Sequence, residues 1–202
     1  MKRALIIFVR PAQAGKVKTR IARAVGDALT LQIYKRLLLH TREVADAVAA
    51  DRFVFYADEI PDRDIWHEPY WKYLQSGEDL GKRMSNAFQQ IFNLAYEKAV
   101  IIGSDCYALT AAHIEQAFEA LHHADAVIGP AKDGGYYLLA LRRTIPEIFE
   151  HIPWSTSAVL SCTVQCLQKQ NLSYTLLETL PDVDEWEDVP EAWKRDLLQN
   201  KS

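Results

Sequence analysis

The chain has 202 residues, with 23 Lys+Arg against 27 Asp+Glu for a net charge of −4, and 49% of its residues are hydrophobic. That length suits a single domain, read as residues 1–202, and the apolar fraction excludes a disordered tail or a collagen-like rod. The acidic balance excludes a general polyanion binder, nucleic acid included, so any phosphate has to be held by a few local cations, a loop or a metal.

Ala4–Val9 is a short apolar run of the kind a buried parallel strand shows. It is too short for a signal-peptide core or a membrane span, and no later window approaches one. Ile21–Ala50 has helical spacing, with Leu29, Ile33, Leu37 and Leu38 on one side and charges on the other. Arg52–Ala57 reads as a second strand, Leu80–Tyr96 as a helix, and Ala99–Ile102 as a third strand. Thr110 suits the N-cap of a helix through Leu121, because its hydroxyl can accept a free N–H there. Ala124–Gly129 and Tyr136–Leu141 are further strands, Ser157–Gln168 a helix, Ser173–Leu177 a late strand and Trp186–Leu198 a closing helix. Trp66, Tyr70 and Trp71 read as exposed aromatics that mark an acceptor wall or a dimer contact. Strand and helix alternating at this pitch imply an α/β layer fold with a mainly parallel sheet. Ligands in such sheets bind beyond the carboxyl ends of the strands, so the chemistry belongs in the segments that follow strands.

Three cysteines, Cys106, Cys162 and Cys166, are too sparse for a disulfide framework and indicate reduced thiols in a cytoplasm. Cys162 and Cys166 share one helix face without a further nearby ligand, which favours packed thiols. The six histidines have no zinc-like spacing and are assigned to no metal. No Gly-x-Ser-x-Gly elbow is present, so an esterase is unsupported.

Four segments carry unusual chemistry. Arg10-Pro-Ala-Gln-Ala-Gly15-Lys16-Val-Lys18-Thr-Arg20 packs four cations into eleven residues after the first strand. Gly15 lets backbone N–H groups turn toward an anion, and Lys18 and Arg20 can neutralise phosphate oxygens; the alternative is a solvated basic turn. Gly103-Ser104-Asp105 ends a buried strand on a carboxylate, which either holds a hard cation such as Mg²⁺ or caps the next helix, with Ser104 sharing that work. Gly129-Pro-Ala-Lys-Asp133-Gly134-Gly135-Tyr136-Tyr137 suits a close backbone approach to a ligand, an Asp-Gly hairpin turn, or both. Asp182-Val-Asp184-Glu-Trp-Glu-Asp188 has five acids in seven residues. Dipole complementarity with the last helix accounts for Glu185, Glu187 and Asp188, leaving Asp182 and Asp184 as ligand candidates.

These segments, with Gly77-x-Asp-Leu80-Gly81-x-Arg-Met84 and Trp154-Ser155-Thr156, occur in an order that resembles a bacterial family of small GT-A-type glycosyltransferase-like proteins. That family is grouped with the nucleotide-diphospho-sugar transferases and is distantly similar to the 2-phospholactate and molybdenum-cofactor guanylyltransferases. The resemblance spans roughly residues 4–190. It implies a Rossmann-like three-layer sandwich and a divalent metal, Mg²⁺ or Mn²⁺, held by Asp105 with Asp184 or Asp182. Arg10, Gly15, Lys16, Lys18, Arg20 and Ser104 would bind the nucleotide phosphates, and the turn Gln75–Gly81, with Gln75, Gly77, Leu80 and Gly81, would line the base. Asp133, Gly134, Gly135, Tyr136, Trp154, Ser155 and Thr156 would face the sugar or acceptor. Two positions depart from the family pattern: Tyr107 stands where it has Pro, and Glu185-Trp186 where it has Thr-Pro.

The expected activity is metal-dependent glycosyl transfer from a nucleotide-sugar to a small acceptor, with Lys18 and Arg20 stabilising the departing phosphate charge and Asp133 as base. The alternatives are nucleotidyl transfer from an NTP to a phosphorylated small molecule, and a catalytically silent nucleotide-binding regulator. The expected partners are the nucleotide and a small acceptor, with no membrane span; a homo-oligomer is compatible with the sequence.

Overall fold

The apolar run near the start forms β1 (Arg3–Val9), the strand around which the rest of the sheet assembles. The computed structural model describes residues 2–199, so Met1 and 200–202 of the expected domain lie outside the described residues. β1 pairs in parallel with β2 (Asp51–Tyr56) on one side, and β3 (Tyr70–Leu74) adds to β2, also in parallel. On its other side β1 pairs in parallel with β4 (Lys98–Ile102), Ile7 facing Ile102. Beyond β4 comes an antiparallel strand, β6 (Tyr136–Leu141), then β5 (Ala126–Pro130) and the short parallel β7 (Tyr174–Leu176). The order across the seven-stranded sheet is β3-β2-β1-β4-β6-β5-β7. With β6 alone reversed, the carboxyl ends of all the other strands open on one edge.

Among the described residues six α-helices cover the sheet: α1 (Thr19–Val25), α2 (Asp27–Asp46), α3 (Leu80–Asn93), α4 (Ala111–Ala120), α5 (Val159–Lys169) and α6 (Glu191–Gln199). Alternate strand residues face opposite sides, so each strand contributes to two cores. Leu5, Ile7, Val54 and Val100 meet Tyr34 and Leu38 of α2 and Ile114 and Phe118 of α4. Ala4, Ile6, Phe53 and Leu139 meet Met84 and Phe88 of α3 and Leu167 of α5. A third cluster packs α1 and α6 on the outer stripe of α2 through Ile21, Leu29, Ile33, Leu37 and Leu197. The mainly parallel α/β sandwich expected from the alternation is therefore present. Among the described residues no helix is long and apolar enough to cross a membrane.

Three expectations need correction. The helix read over 21–50 is two helices, because the backbone turns at Gly26 with φ 82°, where a side chain would be strained. The closing helix read from Trp186 is also divided: Trp186–Asp188 is a single 3-10 turn, and α6 starts only after Pro190, which lacks the N–H a continuous helix would need. β3 was not anticipated, and with it two of the three aromatics read as exposed are core. Trp66 and Tyr70 are buried with ring centroids 5.2 Å apart, and only Trp71 is exposed, stacked on Phe53 at 5.0 Å. Asp64 closes that segment by accepting from the Trp66 N–H and from Lys72 Nζ, both at 2.8 Å. The remaining elements lie within a few residues of their expected bounds.

Candidate functional site

The loop after β1 is anchored at its first residue. The Tyr34 hydroxyl of α2 accepts from the Arg10 N–H at 3.0 Å and donates to the Arg10 carbonyl at 3.1 Å. The buried Val17 pins the far end, and Gly15, at φ 76°, turns the chain between them. This places Lys18 in a left-handed conformation, φ 46°, with its side chain directed inward. Its Nζ lies 2.9 Å from Asp105 Oδ2 and 2.9 Å from Asp184 Oδ1, and the side chain is only 7% exposed. Burial lowers the lysine's pKa, but the two carboxylates more than offset it and the net shift is upward, so Lys18 stays charged. Lys16 and Arg20 remain exposed and make no ion pair among the described residues, while the Arg10 guanidinium meets Asp58 at 3.5 Å.

The acids arrive from three other strand ends. Asp105 follows β4, with the buried Ser104 hydroxyl 3.4 Å from its Oδ1. The chain leaving β7 runs beside the end of β5, Leu180 donating to the Pro130 carbonyl at 3.0 Å, and then reaches Asp105, whose carbonyl accepts from the Val183 N–H at 2.8 Å. That single backbone bond brings Asp182 and Asp184 to Asp105. Asp188 accepts from the Asp184 and Glu185 N–H groups at 3.1 and 2.8 Å, so it closes the next turn as expected of an acid ahead of a helix. The Asp182 carboxyl is pushed up to about 7, first by burial and then by the charges of Asp105, Asp133 and Asp184. More negative charge converges here than one ammonium offsets.

That donor set is made of carboxylate oxygens, the ligands hard divalent cations take. Asp105, Asp182 and Asp184 therefore fit Mg²⁺ or Mn²⁺ in kind. Among the described residues no three such groups already stand as a ligand cluster. The Lys18 ammonium lies between Asp105 and Asp184 instead.

The Asp133 turn is a hairpin loop between β5 and β6, with Asp133 Oδ1 accepting from the Gly135 N–H at 2.9 Å. Gly134, at φ 91°, is needed for a close approach to protein backbone: a Cβ there would stand 2.2 Å from the Ser157 carbonyl. Tyr136 faces the core; its hydroxyl is buried beside Thr163, and burial raises its pKa. Its ring meets Trp154 edge-on at 6.4 Å. Ser155 is exposed at φ 64°, and the Thr156 hydroxyl is used within its own turn, donating to the Pro153 carbonyl at 2.7 Å.

At the other side of the edge, Gln75 follows β3 and its Nε2 donates to the Phe55 carbonyl at 2.9 Å. Gly77, φ 138°, lies so close to α3 that a Cβ would be 2.8 Å from the Arg83 N. Asp79 caps α3 by accepting from the Lys82 N–H at 2.7 Å, and Leu80 is exposed on its first turn. Gly81 is covered by the Trp154 indole: a Cβ would meet the ring at 2.3 Å. The structure thus joins Lys18, Asp105 and Asp184 by ion pairs at one point, with Asp182 close enough to feel their charges, and Gly81 with Trp154 at another. Among the described residues Lys16 and Arg20 form no ion pair with the acids, and Ser155 and Thr156 follow Trp154 in an exposed turn. Tyr34 was missed by sequence reasoning; its signal is that it is the one aromatic among the buried residues of α2. Tyr107, the departure after Asp105, packs between His40 at 4.8 Å and Trp193 at 4.7 Å, tying the Asp105 loop to α2 and α6.

The architecture recurs in solved structures. A candidate nucleotide-diphospho-sugar transferase from Desulfovibrio desulfuricans G20 superposes with TM-score 0.86 and 28% identity, over 100% of this chain and 96% of that one. CMP:2-keto-3-deoxy-manno-octonic acid synthetase in complex with CTP superposes at 0.59 with 13% identity, over the whole of both chains. The Rv0371c protein of Mycobacterium tuberculosis H37Rv, in complex with manganese, superposes at 0.56 with 13% identity over 98% of each chain. These likenesses identify the fold as the Rossmann-like fold of nucleotide-diphospho-sugar transferases and related nucleotidyltransferases. No curated protein matches the sequence at a significant level. Residues 37–156, which hold Asp105, the Asp133 turn, the Gly77–Gly81 turn and Trp154, match a family model described as uncharacterized protein conserved in bacteria (DUF2064), and the chain belongs to that family.

Proposed function

We propose that this protein is a single-domain, metal-dependent transferase that moves a glycosyl group from a nucleotide-sugar to a small acceptor. The observation that carries the reading is the meeting of Lys18, Asp105 and Asp184 at the carboxyl edge of the sheet, within reach of the Asp182 charge and beside the exposed cations Lys16 and Arg20. The likeness at 28% identity to a candidate nucleotide-diphospho-sugar transferase supports the substrate class. Three unpaired cysteines are in keeping with a cytoplasmic enzyme.

Asp105 and Asp184, with Asp182, would hold Mg²⁺ or Mn²⁺, which would supply positive charge against the negative charge that builds on the leaving nucleotide. Around it the chain's own groups do the positioning. Lys16, Lys18 and Arg20 bind phosphate oxygens, and the Tyr34 clamp on Arg10 fixes where the loop starts. The turn Gln75–Gly81 lines the base and Trp154 walls the sugar. Asp133, oriented through the Gly135 N–H, accepts the proton of the acceptor hydroxyl.

A second reading, nucleotidyl transfer from an NTP, is favoured by the three cations Lys16, Lys18 and Arg20 within five residues, a set suited to a triphosphate, and by the shared fold of a synthetase solved with CTP. Thermal shift with Mn²⁺ and a panel of NTPs, UDP-sugars and GDP-sugars tests both. Saturation at about 100 times Kd adds roughly 2.7 kcal/mol, or roughly 5–11 °C for a chain of this size. We expect that shift with a nucleotide-sugar and Mn²⁺, and its loss in Asp105→Asn. Stabilisation by NTPs alone, with pyrophosphate as product, selects the second reading.

A further inference from the structure

The ammonium of Lys18 stands where two prospective metal ligands converge, and that position has a consequence for metal binding. Its Nζ is equidistant, 2.9 Å, from Asp105 Oδ2 and Asp184 Oδ1. The side chain is 7% exposed, against 46% and 38% for the two carboxylates, so the cation is the buried member and the acids keep an open side. A divalent ion taking an oxygen from each acid at its usual short bond length would share both oxygens with a cation already a hydrogen bond away. Like charges that close repel, and each oxygen's electron density is divided between them.

We propose that Lys18 is a resident counter-ion latch: it occupies the Asp105–Asp184 pair in the resting protein, weakens metal binding there, and is expelled toward the phosphate site when the metal enters. This rests on the reading of Asp105 and Asp184 as metal ligands. The backbone permits the exchange. Lys18 sits in a left-handed conformation that an L residue adopts only when held, and Gly15, three residues earlier, is a natural pivot. The released ammonium stays tethered between Lys16 of the loop and Arg20 on the first turn of α1, both of which face solvent. A nucleotide phosphate supplies the anion that the displaced ammonium lacks once it leaves the acids. Metal and nucleotide consequently bind with positive coupling, each clearing the way for the other.

The test measures Mn²⁺ binding without nucleotide, by the electron paramagnetic resonance of free Mn²⁺, in wild type, Lys18→Met, Lys18→Arg and Asp105→Asn. The latch requires that Lys18→Met bind Mn²⁺ at least tenfold more tightly than wild type, that Lys18→Arg stay near wild type, and that Asp105→Asn lose the site. Equal or weaker binding in a folded Lys18→Met overturns the latch. A second readout needs no variant at this position: acetylation of lysines with a water-soluble ester, mapped by mass spectrometry. Saturating Mn²⁺ should raise Lys18 labelling severalfold, with the exposed Lys16 as internal reference. Unchanged Lys18 labelling while Asp105-dependent Mn²⁺ is bound overturns the latch and leaves the metal reading standing. If no protein binds Mn²⁺, the metal reading fails and the latch falls with it.

Discussion

Gly81 and Trp154 form a contact that only one residue type permits. The indole lies over the first turn of α3, and a Cβ on Gly81 would enter the ring at 2.3 Å. A methyl group added there therefore moves the indole, which is also braced edge-on by Tyr136. Gly81→Ala is expected to lower stability by roughly 1–3 kcal/mol and to shift the tryptophan emission spectrum. The same substitution in a Trp154→Phe background should leave the emission of the remaining tryptophans unchanged. An unaltered spectrum in the single variant would show that the ring yields without cost. The residue scale also explains why Asp133, Gly134 and Gly135 were ambiguous in the sequence. The turn reading is realised through Asp133 Oδ1 and the Gly135 N–H, and the tight approach that Gly134 allows is to the Ser157 carbonyl.

At the scale of elements, β7 is the weakest strand of the sheet, three residues long on an open edge. Its attachment matters because the chain that leaves it carries Asp182 and Asp184. Asp125, just before β5, fastens the start of β7 by accepting from the Ser173 N–H at 3.0 Å and the Ser173 hydroxyl at 2.8 Å, while Arg142 Nη2 lies 3.0 Å away. The serine hydroxyl is the main reason its pKa lies below the ordinary carboxylate value, against an opposing contribution from burial. A carboxyl whose folded pKa is depressed stabilises the fold fully above its unfolded pKa, and that contribution is lost as pH falls through the folded value. Urea unfolding of wild type and Asp125→Asn should accordingly differ by roughly 1–3 kcal/mol at pH 7, with the gap shrinking as pH falls below about 4, the unfolded value, and closing only beneath the depressed folded pKa. A gap that stays constant as pH is lowered from 7 into the fully protonated range would argue against a charged Asp125 as its source. Helix ends followed the same local logic where punctuation was unambiguous. Thr110 precedes α4, its N–H donating to His113 Nδ1 at 3.0 Å, whereas Pro190, which sets the start of α6, lies inside the helix expected from Trp186. Gly26 was harder to read, because the apolar stripe of α2 continues from that of α1 and one glycine does not announce a break.

Across the whole molecule, stability depends on a sheet covered from both sides. Phe88 is fully buried in the layer between α3 and the sheet, with Phe92 at 6.1 Å and Phe149 at 6.0 Å. Phe88→Ala should cost roughly 3–5 kcal/mol and lower the melting midpoint by roughly 6–20 °C, measurable by calorimetry. A smaller loss would mean the layer collapses into the space. The sequence by itself determined the alternation of strands and helices, since period-two and period-3.6 patterns are local properties of the chain. It also placed the loop cations and the acids after strands, where α/β sheets bind ligands. Only the tertiary structure decided that Lys18 faces Asp105 and Asp184 while Lys16 and Arg20 face water, and that Trp66 and Tyr70 are core. The reason is range: an ion pair acts over a few ångströms, and positions 18, 105 and 184 come that close only because β4 lies beside β1 and the chain from β7 bonds back to Asp105 through the Val183 N–H. Strand order is a global choice of packing, and no local pattern of residues encodes it.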